Sequence, residues 1–138
     1  MFLLTISNIT LAEHIDIKSD RLKFDDKRGI AVYTGNVVAN KDDKYLYAEQ
    51  VTIYRDLNGK VESIIALGSP TKFNYNKTTG EANRIEYFPK LEKMILIENA
   101  KIFNNNEYIM GIKLNYYLKQ KTLTSAHNNT IIIHPSSK

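Results

Sequence analysis

Cysteine is absent from the 138 residues. Its absence excludes disulfides, thiolate metal centres, cysteine nucleophiles and a lipid-modified cysteine anchor. It does not assign a compartment, because an oxidising one permits disulfides without requiring them. Histidine is scarce: His14, His127 and His134 stand singly, far apart or near an end. No HExxH, no glycine-rich phosphate loop and no G-x-S-x-G occurs. Carboxylates are scattered through turns, and no paired acid and base can be located. The expectation is therefore a chain without catalytic residues, without a metal and without a cofactor. Long apolar runs are lacking too. Met1 to Ala12, MFLLTISNITLA, is too short for a bilayer span of about 20 residues. It ends in Thr10-Leu11-Ala12, with small residues at the two positions a signal peptidase reads. Residues 1–12 are expected to be a signal-peptide remnant cleaved after Ala12, and 13–138 a single domain. Charge of one sign is also modest. The net +4 favours acidic partners such as nucleic acid, anionic lipid or phosphorylated sugar, but most lysines alternate with acids as on a solvated surface.

What the chain does have is strand. Hydrophobic residues make up 43%, enough to bury a core in one domain. Ile30–Ala39 and Tyr45–Tyr54 are rich in β-branched and aromatic residues, separated by a charged turn over Asn40–Lys44. No helical i, i+3, i+4 stripe fits. Asp56-Leu57-Asn58-Gly59-Lys60 is the clearest hairpin turn, because Asn-Gly takes positive φ readily. Gly68-Ser69-Pro70 predicts a strand break between Val61–Leu67 and Thr71–Asn76. Lys77–Glu81 predicts a turn, Tyr108–Leu118 a strand, Lys119–Lys121 a turn, Thr122–Ala126 a short strand and Thr130–His134 a last one. Turn signals every 8–12 residues predict an all-β, mostly antiparallel fold.

The pattern occurs twice. The shift that carries Leu22 onto Ile85 also carries Phe24 onto Tyr87, Val32 onto Ile95, Asn36 onto Asn99, Tyr45 onto Tyr108, Val51 onto Leu114 and Tyr54 onto Tyr117, with no gap. Two copies of one strand-turn-strand unit are expected to stack.

The ordered runs IDIKSD at 15–20, TGNV at 34–37, YAEQVTIY at 47–54 and GSPTKF at 68–73 resemble the periplasmic lipopolysaccharide-transport family known as OstA-like or LptA-like. The resemblance spans about Glu13 to the C-terminus. The second copy departs from it at Glu98, where the family's TGN would place glycine. The resemblance implies a folded-over antiparallel β-jellyroll, open at both ends, with an apolar interior. It implies lipopolysaccharide, through its lipid A, as the ligand, and head-to-tail stacking into a periplasmic bridge. Inner-membrane-anchored and outer-membrane components sharing the fold are the implied partners, and nucleic acid is not among them.

Alternation puts Ala31, Tyr33, Val37 and Ala39 on one face, continued by Leu46, Val51 and Ile53. In the second copy Met94, Leu96, Ala100 and Ile102 share it, continued by Ile109, Leu114 and Tyr116. Any one of these is ordinary core. Together they can form an interior for acyl chains, gaining about 0.8 kcal/mol per buried CH₂. The residues expected to line it are Ile15, Ile17, Phe24, Tyr33, Val37, Leu46, Val51, Ile53, Phe73, Tyr87, Leu96, Ile102, Ile109, Leu114 and Tyr116. Lys18, Arg21, Lys44 and Arg84 are candidates for phosphates on the lipid head. Two other readings stay open: a basic β-barrel that stacks single-stranded nucleic acid on its tyrosines, and a structural adaptor with a filled core.

Overall fold

The computed structural model describes residues 15–104, 107–125 and 132–135. Ten strands follow one another: β1 (Asp16–Lys18), β2 (Arg21–Asp25), β3 (Ile30–Lys41), β4 (Lys44–Arg55), β5 (Val61–Tyr75), β6 (Thr78–Phe88), β7 (Lys93–Asn104), β8 (Glu107–Tyr117), β9 (Thr122–Ser125) and β10 (Ile132–Pro135). A 3₁₀ turn at Pro89–Leu91 joins β6 to β7. Tight turns between apolar runs make neighbours in sequence neighbours in space. The result is one antiparallel sheet ordered β1-β3-β4-β5-β6-β7-β8-β10, with β2 also on β3 and β9 also on β8. The fold is all-β, as the sequence indicated. The predicted cleavage after Ala12, together with His14, His127, and Ala126, Thr130 and Ile131 of the expected last strands, lies outside the described residues.

Several strands are longer than their sequence suggests. Lys41 still pairs with Lys44, leaving Asp42 and Asp43 as the turn, with Asp42 at φ 56°. Tyr75 pairs with Thr78, so the next turn is Asn76-Lys77 and not 77–81. β5 does not end at Gly68-Ser69-Pro70. It runs for 15 residues with a register shift between Leu67 and Thr71. The proline survives there because a bulge needs no ladder N–H from it. At the Asp56 turn, Asp56 Oδ1 accepts from the Asn58 and Lys60 amides at 2.9 and 3.0 Å, and Gly59 takes φ 81°.

Strands of 11 to 15 residues are about twice the usual length. Each bends, and all bend along one line. Register shifts fall between Thr34 and Val37, Tyr47 and Gln50, Leu67 and Thr71, Glu81 and Arg84, and Ile97 and Ala100. A row of bulges across a sheet creases it. The first layer holds β2, the crease-to-Arg55 side of β3–β8 and β9. The second holds β1, the other halves of the same strands and β10.

The crease also shows the repeat. β3 and β7 superpose end to end under the shift found in the sequence, both 12 residues long. Gly35 and Asn36 (φ 89° and 46°) correspond to Glu98 and Asn99 (φ 68° and 54°). The broken edge β1–β2 stands where the second copy has continuous β6.

Candidate functional site

The two layers face each other across an apolar interior. Period-2 alternation delivers Ala31, Val37, Val51, Ile53, Ala66, Phe73, Ala82, Ile85, Leu96, Ala100, Ile102, Leu114 and Tyr116 to this face, all buried. Val51, Leu96 and Leu114 are 0% exposed. Near the crease the interior is filled. Thr71, buried there, donates its hydroxyl to the Tyr47 carbonyl at 2.7 Å. Gly80 leaves room for the Phe73 ring, which a Cβ at that position would overlap.

Away from the crease an apolar cavity of about 60 Å³ remains between the layers. The second layer contributes Ile15, Ala39, Leu46, Phe73 and Tyr75. The first contributes Ile64, Ile85, Tyr87, Met94 and Leu118. Lys41 and Lys44 stand at its mouth, and Lys44 Nζ lies 4.9 Å from the Tyr75 ring centre. Burial raises the Tyr87 phenol above its ordinary pKa of 10.0, with help from the Glu92 charge. It stays neutral at physiological pH, as an apolar wall requires. Thr78 Oγ1 and Tyr116 Oη lie 3.5 Å apart across the layers, a long hydrogen bond in which either hydroxyl can donate.

Of the fifteen positions named from sequence, Val37, Val51, Ile53, Phe73, Leu96, Ile102, Leu114 and Tyr116 are buried between the layers. Ile15, Ile17, Tyr33, Leu46, Tyr87 and Ile109 are half-buried and pack against that core. Phe24 differs. It keeps the inward register, opposite Ala31, but lies on an edge strand and is 50% exposed, with the Arg55 guanidinium 5.9 Å from its ring centre. The four cations do not come together. Lys18, Arg21 and Arg84 sit beside the crease on outward register, opposite Val38, Thr34 and Leu67. Arg84 is occupied by Glu86 at 2.7 Å. Lys44 is the one of the four at the mouth. Sequence reading missed Ile64, Ile85 and Leu118 as cavity residues. Alternation carried a signal for all three: Leu118 follows Leu114 and Tyr116 at period two, and although it lies just beyond β8 it is held by its amide to the Glu92 carbonyl at 2.9 Å.

A single open antiparallel sheet, creased along a row of bulges over an apolar interior, defines an OstA-like β-jellyroll. The family model described as LptA/(LptD N-terminal domain) LPS transport protein matches residues 16–122. The chain belongs to that family. It is 30% identical over 108 residues to the lipopolysaccharide export system protein LptH of Pseudomonas aeruginosa, a match covering 74% of this chain and 62% of the relative's length. It is 29% identical over 133 residues to the lipopolysaccharide export system protein LptA of Haemophilus influenzae, covering 88% and 77%. The crystal structure of LptH, described as the LptA-homologous periplasmic component of the lipopolysaccharide transport device of Pseudomonas aeruginosa, shares the fold. Its TM-score is 0.81 at 23% identity, over 90% of this chain and 97% of that one.

Proposed function

We propose that this chain is a non-enzymatic carrier that moves lipopolysaccharide across the periplasm toward the outer membrane, with acyl chains held between its two layers. The observation that carries this reading is the apolar interior shared by two layers of one sheet, with its cavity on the open side. About 60 Å³ does not hold an acyl chain, so the layers must part to load one. That motion is inexpensive in this geometry. Chiefly non-directional apolar contacts are exchanged for equally apolar contacts with hydrocarbon, and the Thr78–Tyr116 hydrogen bond is already long. Lys41 and Lys44 stand where phosphates on the lipid head would emerge.

The sheet has two broken edges, β1–β2 and β9–β10, each one strand deep. Edge strands offer unpaired backbone groups to another chain. Opposite edges joined head to tail make an open filament, which suits a bridge ending on membrane-bound components of the same fold.

A photo-crosslinking residue tests the interior. At Tyr33, Phe73, Leu96 or Tyr116 it is expected to capture lipopolysaccharide. At Thr52, whose register neighbours are outward-facing Val32 and Ile65, it is not. Equal capture at both sets overturns the interior site. No capture by a folded protein leaves the filled-core adaptor. Light scattering checks the filament: mass should rise with concentration without a plateau at dimer, and a strict monomer counts against the bridge.

A further inference from the structure

An open groove lies on the outer face of the second layer, turned away from the interior. It measures about 270 Å³ and is lined on its sides by Tyr47 of β4 and Phe103 of β7. Both aromatics are exposed, 45% and 40%. Each belongs to a pair. Tyr45 and Tyr47 stack with centroids 6.5 Å apart and planes 10° apart, and Phe103 lies 5.3 Å from Tyr108. Between them Lys72 and Asn74 of β5 stand opposite Glu81 and Thr79 of β6, with Phe73 and Gly80 completing the floor. Three inter-strand spacings separate the aromatic walls, about 14 Å.

We propose that this groove is a saccharide-binding site. A sugar ring has two needs that rarely coincide on a sheet surface. Its C–H face packs on an exposed aromatic, and its hydroxyls need donors and acceptors of both kinds within reach. Asn74 supplies both, Thr79 a hydroxyl, Lys72 a donor and Glu81 an acceptor. The aromatics sit at the walls and the polar groups between them, so a short oligosaccharide laid across the strands meets both. Charge separates this ligand from a single-stranded nucleic acid, which also stacks on aromatics. A nucleic-acid groove neutralises phosphates with surplus cations. Here the lining charges are Lys72 and Glu81, directly opposite each other, and they cancel. Every polar group in it points away from the interior, while Phe73 lines both the groove and the interior cavity.

The saccharide has two sources: the polysaccharide part of the amphiphile itself, or a free glycan. The full chain, labelled with ¹⁵N, would be titrated with polysaccharide released from lipopolysaccharide and freed of lipid. Separate titrations would use a β-1,4-linked N-acetylglucosamine tetramer and a dT oligonucleotide. Saturable amide shifts confined to Tyr47, Asn74, Thr79, Glu81 and Phe103 are expected with at least one saccharide, and the one that binds identifies the source. Tyr47→Ala and Phe103→Ala should each weaken binding at least tenfold while circular dichroism is unchanged. If one of these variants fails to fold, Glu81→Gln serves in its place, with the same direction expected. No shifts from either saccharide at millimolar concentration overturn the proposal. So do shifts centred on Leu96 and Leu114, or preferential binding of the oligonucleotide.

Discussion

Gly35 and Glu98 occupy equivalent places in the two copies, and each makes the crease in its own strand. Both take positive φ, 89° and 68°. A left-handed backbone costs an ordinary L-residue about 1–2 kcal/mol, so φ alone favours glycine at both. The second copy tolerates glutamate because its side chain is exposed. The first copy has a further constraint. The Asp20 carboxylate lies over Gly35, and an added Cβ would come within 2.5 Å of its Oδ2. Asp20 is anchored there by its amide to the Gly35 carbonyl at 2.9 Å and by Asn36 Nδ2 at 3.0 Å. It is also the residue that divides β1 from β2. The glycine therefore records a local contact at the broken edge, while the crease is a property of the bulge geometry that both copies share.

Substitution at matched positions sharpens this comparison. Val51 and Leu114 correspond under the repeat and are both fully buried. Leu114→Ala should cost about 2–5 kcal/mol through lost burial and a residual cavity. Val51→Ala should cost less, because it removes two carbons where Leu114→Ala removes three. Denaturant titration measures both, and a reversed order would show that the copies pack unequally. A smaller effect is expected at the crease. Gly35→Ala should destabilise by about 2 kcal/mol, combining left-handed strain with the Asp20 overlap, whereas Glu98→Ala should be nearly neutral. Glu98→Gly should instead stabilise by about 0.5 kcal/mol, the relief of φ strain less the flexibility glycine adds to the unfolded chain. Equal loss at Gly35 and Glu98 would remove the special role of Asp20.

The smallest effect concerns a tie between the copies. Lys90, in the 3₁₀ turn, reaches Asp56 in the β4–β5 turn at 2.6 Å. That hydrogen bond, with the Lys60 and Asn58 amides, lowers the Asp56 carboxyl from 3.8 to about 2. A carboxyl depressed in the folded state contributes stability above its unfolded pKa and loses it as pH falls through the folded one. The stability gap between the wild type and Asp56→Asn should be present at pH 5, shrink between about pH 4 and 2, and narrow in high salt. An Asp56 titration midpoint near 3.8 by NMR would dissolve the tie.

The strands, their antiparallel order, the two copies and the inward face were legible in the sequence. Period-2 alternation is local, and a shared shift without gaps exposes a repeat wherever apolar positions match. Val37, Leu96, Ile102 and Leu114 could be assigned to the interior on that basis. Strand ends were less legible, since Lys41 pairs with Lys44 only because the neighbouring strand continues the ladder.

What the sequence by itself determined is which side chains face inward. What the tertiary structure decided is where along each strand they meet. Gly68-Ser69-Pro70 reads locally as a break, yet it is one bulge in a row crossing the whole sheet, a feature that exists only once the strands are aligned. The crease then sorts residues along the strands into different surroundings. Lys18, Arg21 and Arg84 lie beside it on outward register, Lys44 stands at the mouth, and Leu118 lines the same cavity as Ala39 and Ile15. Phe24 shows the same limit: alternation aims it inward, but only the position of its strand at the edge leaves it half exposed. Facing is set by covalent alternation along one strand, whereas proximity across layers is set by the fold of all of them.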